Sequence, residues 1–189
     1  MTPLSNPGPE EADKLRFDQH RLDTVHAARL LDNARQSASK KNGYSSSDSR
    51  KKMRDELERR SGGLIAYDWQ LDVAEALLLG LDCSVIAGTG AGKTMPFVLP
   101  LLVETKKIVI IISPLNALEE DQAARFEKLG LSAVAVNGET YSDAIHKEIE
   151  NLNYRVVITS PDMCLQHDSF RRLLSASRKR GKFMSCVWM

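Results

Sequence analysis

The stretch "AGTGAGKT", Ala87 to Thr94, lies between the apolar runs "CSVIA" (83–87) and "MPFVLPLLVET" (95–105). Three glycines, a lysine and two threonines in eight residues make no sense as core. They do make sense as a bend between a strand and a helix. Gly88, Gly90 and Gly92 tolerate backbone angles that other residues avoid, so the N–H groups of Thr89, Gly90, Ala91, Gly92, Lys93 and Thr94 can converge on one anion. The positive end of the following helix would add its dipole beneath that anion. In this spacing the lysine reaches the β- and γ-phosphates of a nucleoside triphosphate, and the hydroxyl of Thr94 binds Mg²⁺. Ala87 stands where the first glycine of the pattern is usual. The plain alternative is a tight strand-to-helix turn without a ligand.

Working outward, short apolar runs alternate with helical stretches. "CSVIA", "KIVIIIS" (107–113), "SAVAVN" (132–137), "RVVITS" (155–160) and the closing "SCVWM" read as strands. They lack clean alternation, as parallel strands covered on both faces do. "MPFVLPLLVET", "NALEEDQAARFEKLG" and "SDAIHKEIENL" supply the crossovers, and "DWQLDVAEALLLGLD" reads as a helix packed on a core. Strand and helix in repeated alternation predict an α/β fold, a mainly parallel sheet of about five strands flanked by helices.

Residues 1–62 differ. "TPLSNPGPEE" and "SASKKNGYSSSDS" hold too few apolar residues to order themselves. Between them Leu15, Leu22, Val25, Ala28, Leu30 and Leu31 show a patchy helical period, and "SRKKMRDELERRSGG" predicts a further helix capped by Ser49 and ended by Gly62–Gly63. The expected organisation is a largely disordered or partly helical arm over 1–62 and one domain over 63–189. The 189 residues carry a net charge of +1, so no global field draws nucleic acid, and basic surface must be local. The three cysteines are far apart and the four histidines show no ligand spacing. The N-terminus resembles no secretory signal and no run approaches membrane-spanning length. A soluble, intracellular protein is expected.

Three stretches narrow the choice among phosphate-binding chains. Gln70, in a helix preceded by "AYDW", offers the paired donor and acceptor that suit the N6/N7 edge of adenine. "ISPLNALEEDQ" and "ITSPDM" each place Ser or Thr with proline at a strand's C-terminal end, the edge where such sheets bind ligands. Hydroxyls and N–H groups there suit a phosphodiester backbone. The alternative for each is helix initiation, with Ser113 or Ser160 as N-cap and Pro114 or Pro161 at the first helical position.

In this order the stretches resemble the first RecA-like lobe of superfamily 2 helicases, and most closely the RecQ group. "SPLNALEEDQ" reproduces that group's "SPL-x-x-L-x-x-DQ" through Ser113, Pro114, Leu115, Leu118, Asp121 and Gln122. The resemblance spans about Met53 to Met189. It implies an ATP-dependent 3′–5′ DNA helicase, nuclear or otherwise intracellular, in which Gln70 recognises adenine and Lys93 and Thr94 serve ATP and Mg²⁺. It also implies that Ser113, Pro114, Leu115 and Asn116, with Thr159, Ser160, Pro161 and Asp162, lie along single-stranded DNA. One departure is plain: the group usually has an arginine a few residues before the glutamine, and "IAYDWQ" has none, leaving Tyr67 or Trp69 to stack on the base. The group's acidic box would follow "SCVWM", where this sequence ends, so the expectation is a partial lobe that binds ATP. The rivals are a catalytically inactive nucleic-acid-binding module and another P-loop enzyme such as a nucleotide kinase.

Overall fold

A computed structural model describes residues 9–88, 90–113, 119–179 and 183–188. Two compact units emerge, residues 1–45 and 46–189. The first holds one helix, α1 (Pro9–Asn42), where the sequence suggested only a short helical stretch. Gly43, at φ +69°, turns the chain, and its N–H donates to the Ser39 carbonyl at 3.0 Å.

The second unit begins with α2 (Ser46–Ser61), which starts three residues before the expected cap, so Ser49 lies inside it. Met53 and Leu57, one turn apart, are fully buried in the same cluster as the sheet. α3 (Asp68–Leu78) and α4 (Met95–Val103) follow. Arg50 ties α2 to α3, reaching Asp72 at 2.5 Å, Glu75 at 3.4 Å and Asp68 at 3.4 Å, while Arg54 meets Asp68 at 2.7 Å. Glu75 is fully buried, and a carboxylate out of water needs such a cation beside it. Burial pulls the Arg50 guanidinium down, but its bonds to Asp72 and Glu75 outweigh that and leave it raised above the ordinary arginine range.

The sheet is parallel throughout, in the order β2 (Ala133–Val136), β3 (Val156–Thr159), β1 (Ile108–Ile112), β4 (Phe183–Trp188). β1 and β3 are buried along their whole length, which is why their sequences run apolar without alternation. One face, through Val109, Ile111, Val156 and Ile158, packs with α2, α3, α4 and α5 (Glu119–Lys128). The other, through Ile108, Ile110, Ile112 and Val157, packs against α6 (Asp143–Glu150), α7 (Pro161–Gln166) and α8 (Asp168–Lys179). Arg155, at the foot of β3, donates to the Lys107 carbonyl at 2.7 Å and to those of Leu101 and Glu104, pinning the α4–β1 turn to its neighbour.

The expected first strand is absent. Residues 83–87 form no ladder, and Ile86 is 98% exposed. β1 has β3 on one side and β4 on the other, and neither free edge of the described sheet, at β2 or at β4, is paired with 83–87. An apolar run becomes a strand only where a neighbour takes its N–H and C=O groups. The described sheet therefore has four strands, not five.

Candidate nucleotide-binding site

α4 and β1 are joined by a turn of only four residues, so the two run in opposite directions. α4 spans about 13 Å and β1 about 16 Å, which brings the loop before α4 level with the C-terminal edge of the sheet. In that loop Gly90 and Gly92 adopt φ +81° and +73°, the left-handed conformation the glycine pattern predicted. Ala91 N–H donates to the Gly88 carbonyl at 3.3 Å and Met95 N–H to that of Gly92 at 3.0 Å. Among the described residues nothing accepts from the N–H groups of Gly90, Gly92, Lys93 or Thr94. Thr89 lies outside the described residues. Lys93 is exposed, and its ammonium donates to the carbonyls of Ala87 at 3.0 Å and Gly88 at 2.9 Å. It thus bridges the loop's mouth. Thr94 leads into α4 without a side-chain capping bond, so its hydroxyl is not committed to the helix end.

Gln70 is brought to this loop, but through protein contacts. It is 2% exposed. Its Nε2 donates to the carbonyls of Ala91 at 3.3 Å and Gly92 at 3.1 Å, and its Oε1 accepts from Tyr67 N–H at 2.9 Å. A Cβ on Gly92 would stand 2.7 Å from Gln70 Nε2. Gly92 is needed twice, for its backbone angle and for the amide beside it. Tyr67 is 63% exposed, whereas Trp69 is half-buried.

The other candidates come from β1 and β3. These adjacent strands send their chains to opposite faces of the sheet, β1 to α5 and β3 to α7, which makes their C-terminal ends the switch point where open α/β sheets bind ligands. Ser113 N–H donates to the Thr159 carbonyl across this point at 2.9 Å. Pro114, Leu115 and Asn116 lie outside the described residues. Thr159 is fully buried, its hydroxyl donating to the Val136 carbonyl at 2.8 Å. Ser160 Oγ accepts from Met163 N–H at 3.2 Å with Pro161 at the first helical position, so this stretch performs helix initiation. Asp162 is exposed. Replacing Ser160 with alanine should cost about 1 kcal/mol in unfolding free energy, as loss of an N-cap does; denaturant titration reads it.

Residues 67–184 match the family described as DEAD/DEAH box helicase, well over half of the chain. The chain belongs to that family. A protein of Acanthamoeba polyphaga mimivirus bearing the name of an ATP-dependent RNA helicase is 36% identical over 94 residues, 49% of this chain and 17% of that one. The "ATP-dependent DNA helicase Q-like SIM" of Arabidopsis thaliana is 28% identical over 106 residues, 56% of this chain and 12% of that protein. The "ATP-dependent DNA helicase Q1" of Rattus norvegicus is 26% identical over 118 residues, 60% of this chain and 19% of that protein. This DEAD/DEAH box chain thus spans less than a fifth of each of these relatives. The crystal structure of the DUF1998 helicase MrfA bound to DNA and AMPPNP superposes with a TM-score of 0.52 at 21% identity, over 72% of this chain and 20% of that one, a likeness of fold. The RecQ resemblance read from "SPLNALEEDQ" agrees with two of these relatives, and the α/β expectation with the fold.

One cluster on this helicase lobe was not legible in the sequence. Tyr141, after β2, sets its hydroxyl 2.5 Å from His146 Nδ1 and its ring edge-on to His167 and Phe170, with centroids 4.8 and 5.3 Å away. Tyr141 and His146 lie at the start of α6, and His167 and Phe170 at the start of α8, so no local spacing joins the two pairs. Burial, followed by the charges of Asp143 and Glu150, pushes the Tyr141 phenol up to about 12. The folded state therefore holds this proton after the unfolded chain has released its own near 10. Stability is unaffected by this group below pH 10 and falls as pH climbs from 10 toward 12. The difference in tyrosinate absorbance between the wild type and Tyr141→Phe should show the late titration. No helix among the described residues is long and apolar enough to cross a membrane.

Proposed function

We propose that this chain is the ATP-binding lobe of a RecQ-like, ATP-dependent 3′–5′ DNA helicase. The observation that carries the reading is the loop of Gly88 to Thr94, with left-handed Gly90 and Gly92 and an exposed Lys93 bridging its mouth, in a chain of the DEAD/DEAH box family. The N–H groups of Gly90, Gly92, Lys93 and Thr94 suit phosphate oxygens. Lys93 would exchange its two carbonyl acceptors for the β- and γ-phosphates, a change from neutral to charged partners that favours the bound state. Thr94 would hold Mg²⁺, which, bound with ATP, neutralises charge developing on the phosphates. Tyr67 is the exposed ring available to stack on the base.

DNA would lie across the C-terminal edge of the sheet, near Ser113 to Asn116 and Thr159 to Asp162, and the setting would be nuclear or otherwise intracellular. Because the hydroxyls of Thr159 and Ser160 are engaged within the lobe, the β3 loop would offer DNA its backbone and not those hydroxyls. The test is calorimetry of the chain with Mg-ATP, followed by fluorescence anisotropy with a labelled duplex bearing a single-stranded tail. Heat that vanishes in Lys93→Ala, with DNA binding that changes when ATP is added, is the expected result. DNA binding without a nucleotide heat would favour the inactive binding module.

A further inference from the structure

We propose that a shallow hollow between the C-terminal ends of α2 and α5 binds the phosphate backbone of a nucleic acid, at the sheet edge opposite the Gly88–Thr94 loop. Arg59, Arg60, Lys128, Leu129 and Gly130 line it, around a volume of about 290 Å³. Arg60 sets its shape. Nε of that residue donates to Glu56 at 3.0 Å, and Nη1 to the carbonyls of Leu129 at 3.2 Å and Gly130 at 3.3 Å, tying the end of α2 to the turn before β2. Arg59 meets the same carboxylate through Nη2 at 2.7 Å and Nε at 3.4 Å. One carboxylate thus serves two guanidinium groups, and with Lys128 the three cations leave the hollow at +2.

Cations near a helix C-terminus offset its negative end, and Arg60 does so for α5 by direct bonds. Arg59 and Lys128 bond no carbonyl among the described residues, although both are exposed. Arg59 Nη1, Arg60 Nη2 and Lys128 Nζ have no acceptor there either, so donors from three side chains around one hollow are open to an anion. The positive surface continues along the edge. Burial lowers the Arg155 guanidinium, Glu104 raises it, and the charge of Arg60 lowers it again, so the two arginines are near enough to repel. Lys106, exposed in the turn before β1, comes next, since Arg155 bonds the Lys107 carbonyl. An anion placed among these groups relieves their repulsion.

The chemistry favours a phosphodiester over a protein. Guanidinium forks match phosphate oxygens, and an ammonium adds a point charge. Protein interfaces are anchored by buried aromatic and apolar side chains, and none of the exposed large apolar residues lines the hollow. Backbone phosphates need donors and positive charge alone.

The test is fluorescence anisotropy of a labelled blunt DNA duplex with the full 189-residue chain, without nucleotide, over a range of salt. Arg59→Gln combined with Lys128→Gln should weaken binding about tenfold to a hundredfold near 0.1 M salt and reduce the slope of log K against log salt by about two. Both side chains are exposed, so the thermal melt should match that of the wild type. Lys51→Gln with Lys52→Gln removes the same charge from the other end of α2, about a Debye length away, and should change affinity less than about threefold. An equal loss in that control, or no binding by the wild type, refutes the site. Polyglutamate displacing the duplex as readily as unlabelled DNA of equal charge would give the hollow to an acidic protein segment. Tripolyphosphate doing so at the same phosphate concentration would give it to a small phosphate; either result overturns the proposal. The paired variant should keep the Mg-ATP heat of the wild type. Absence of that heat from the wild type would sink the proposed function and leave this site standing.

Discussion

Lys93→Ala should leave the second unit folded and reduce Mg-ATP affinity by about a hundredfold or more, the loss of two charge-assisted bonds at about 1.5–3 kcal/mol each. The fold should tolerate the change because Lys93 is exposed and its partners are the carbonyls of Ala87 and Gly88, which water can satisfy. The sheet and its two apolar faces do not involve it. Binding cannot tolerate the change, because the N–H groups of the loop carry only partial charge. Without the ammonium, a triphosphate meets dipoles alone. Calorimetry against the wild type, with a thermal melt as the control for folding, measures both sides. An alanine variant that binds Mg-ATP as the wild type does would remove the foundation of the functional reading.

Leu57→Ala should destabilise the second unit by about 3 kcal/mol, within the range for emptying a fully buried leucine site. For a chain of this length each kcal/mol moves the midpoint by about 2–4 °C, so the melt should fall by about 6–12 °C. α2 looks dispensable in sequence: "SRKKMRDELERR" is mostly charged, and only Met53 and Leu57 are large and apolar. Both are nevertheless buried in the cluster that includes Val109 and Ile111 of β1 and Val156 and Ile158 of β3. The same helix supplies Arg50 to the buried Glu75. A substitution at an exposed position of α2, such as Lys52→Ala, should move the melt by less than about 1 °C, as solvated surface positions do. If Leu57→Ala behaved like Lys52→Ala, α2 would be peripheral and the lobe would begin after it, near the boundary the composition suggested.

Much of this lobe was legible because its signals are local. The apolar runs at 107–113, 132–137 and 155–160 became β1, β2 and β3 to within a residue or two, since length, β-branched content and flanking helices are properties of the run itself. The left-handed angles of Gly90 and Gly92 follow from the same kind of signal, because only glycine takes that conformation without strain. The run at 83–87 was misread for the complementary reason. Its composition is that of a strand, but strandhood requires a partner, and neither edge of the described sheet, β2 or β4, pairs with it.

Side-chain roles divide in the same way. Gln70, Ser160 and Thr159 were all visible as polar groups at the right places, yet what each holds is settled by contacts tens of residues away or by a competing turn. Gln70 meets Ala91 and Gly92, Thr159 meets Val136, and Ser160 caps its own helix. Sequence alone determined the alternation of elements, the left-handed glycines of the loop at 90 and 92 and the helicase resemblance, because each is written in neighbouring residues. Tertiary structure decided which run enters the sheet, that α2 belongs to the core, and that the Gln70 amide meets the carbonyls of Ala91 and Gly92. Those outcomes turn on which groups are left to satisfy one another once the chain has closed on itself, a competition that no local spacing records.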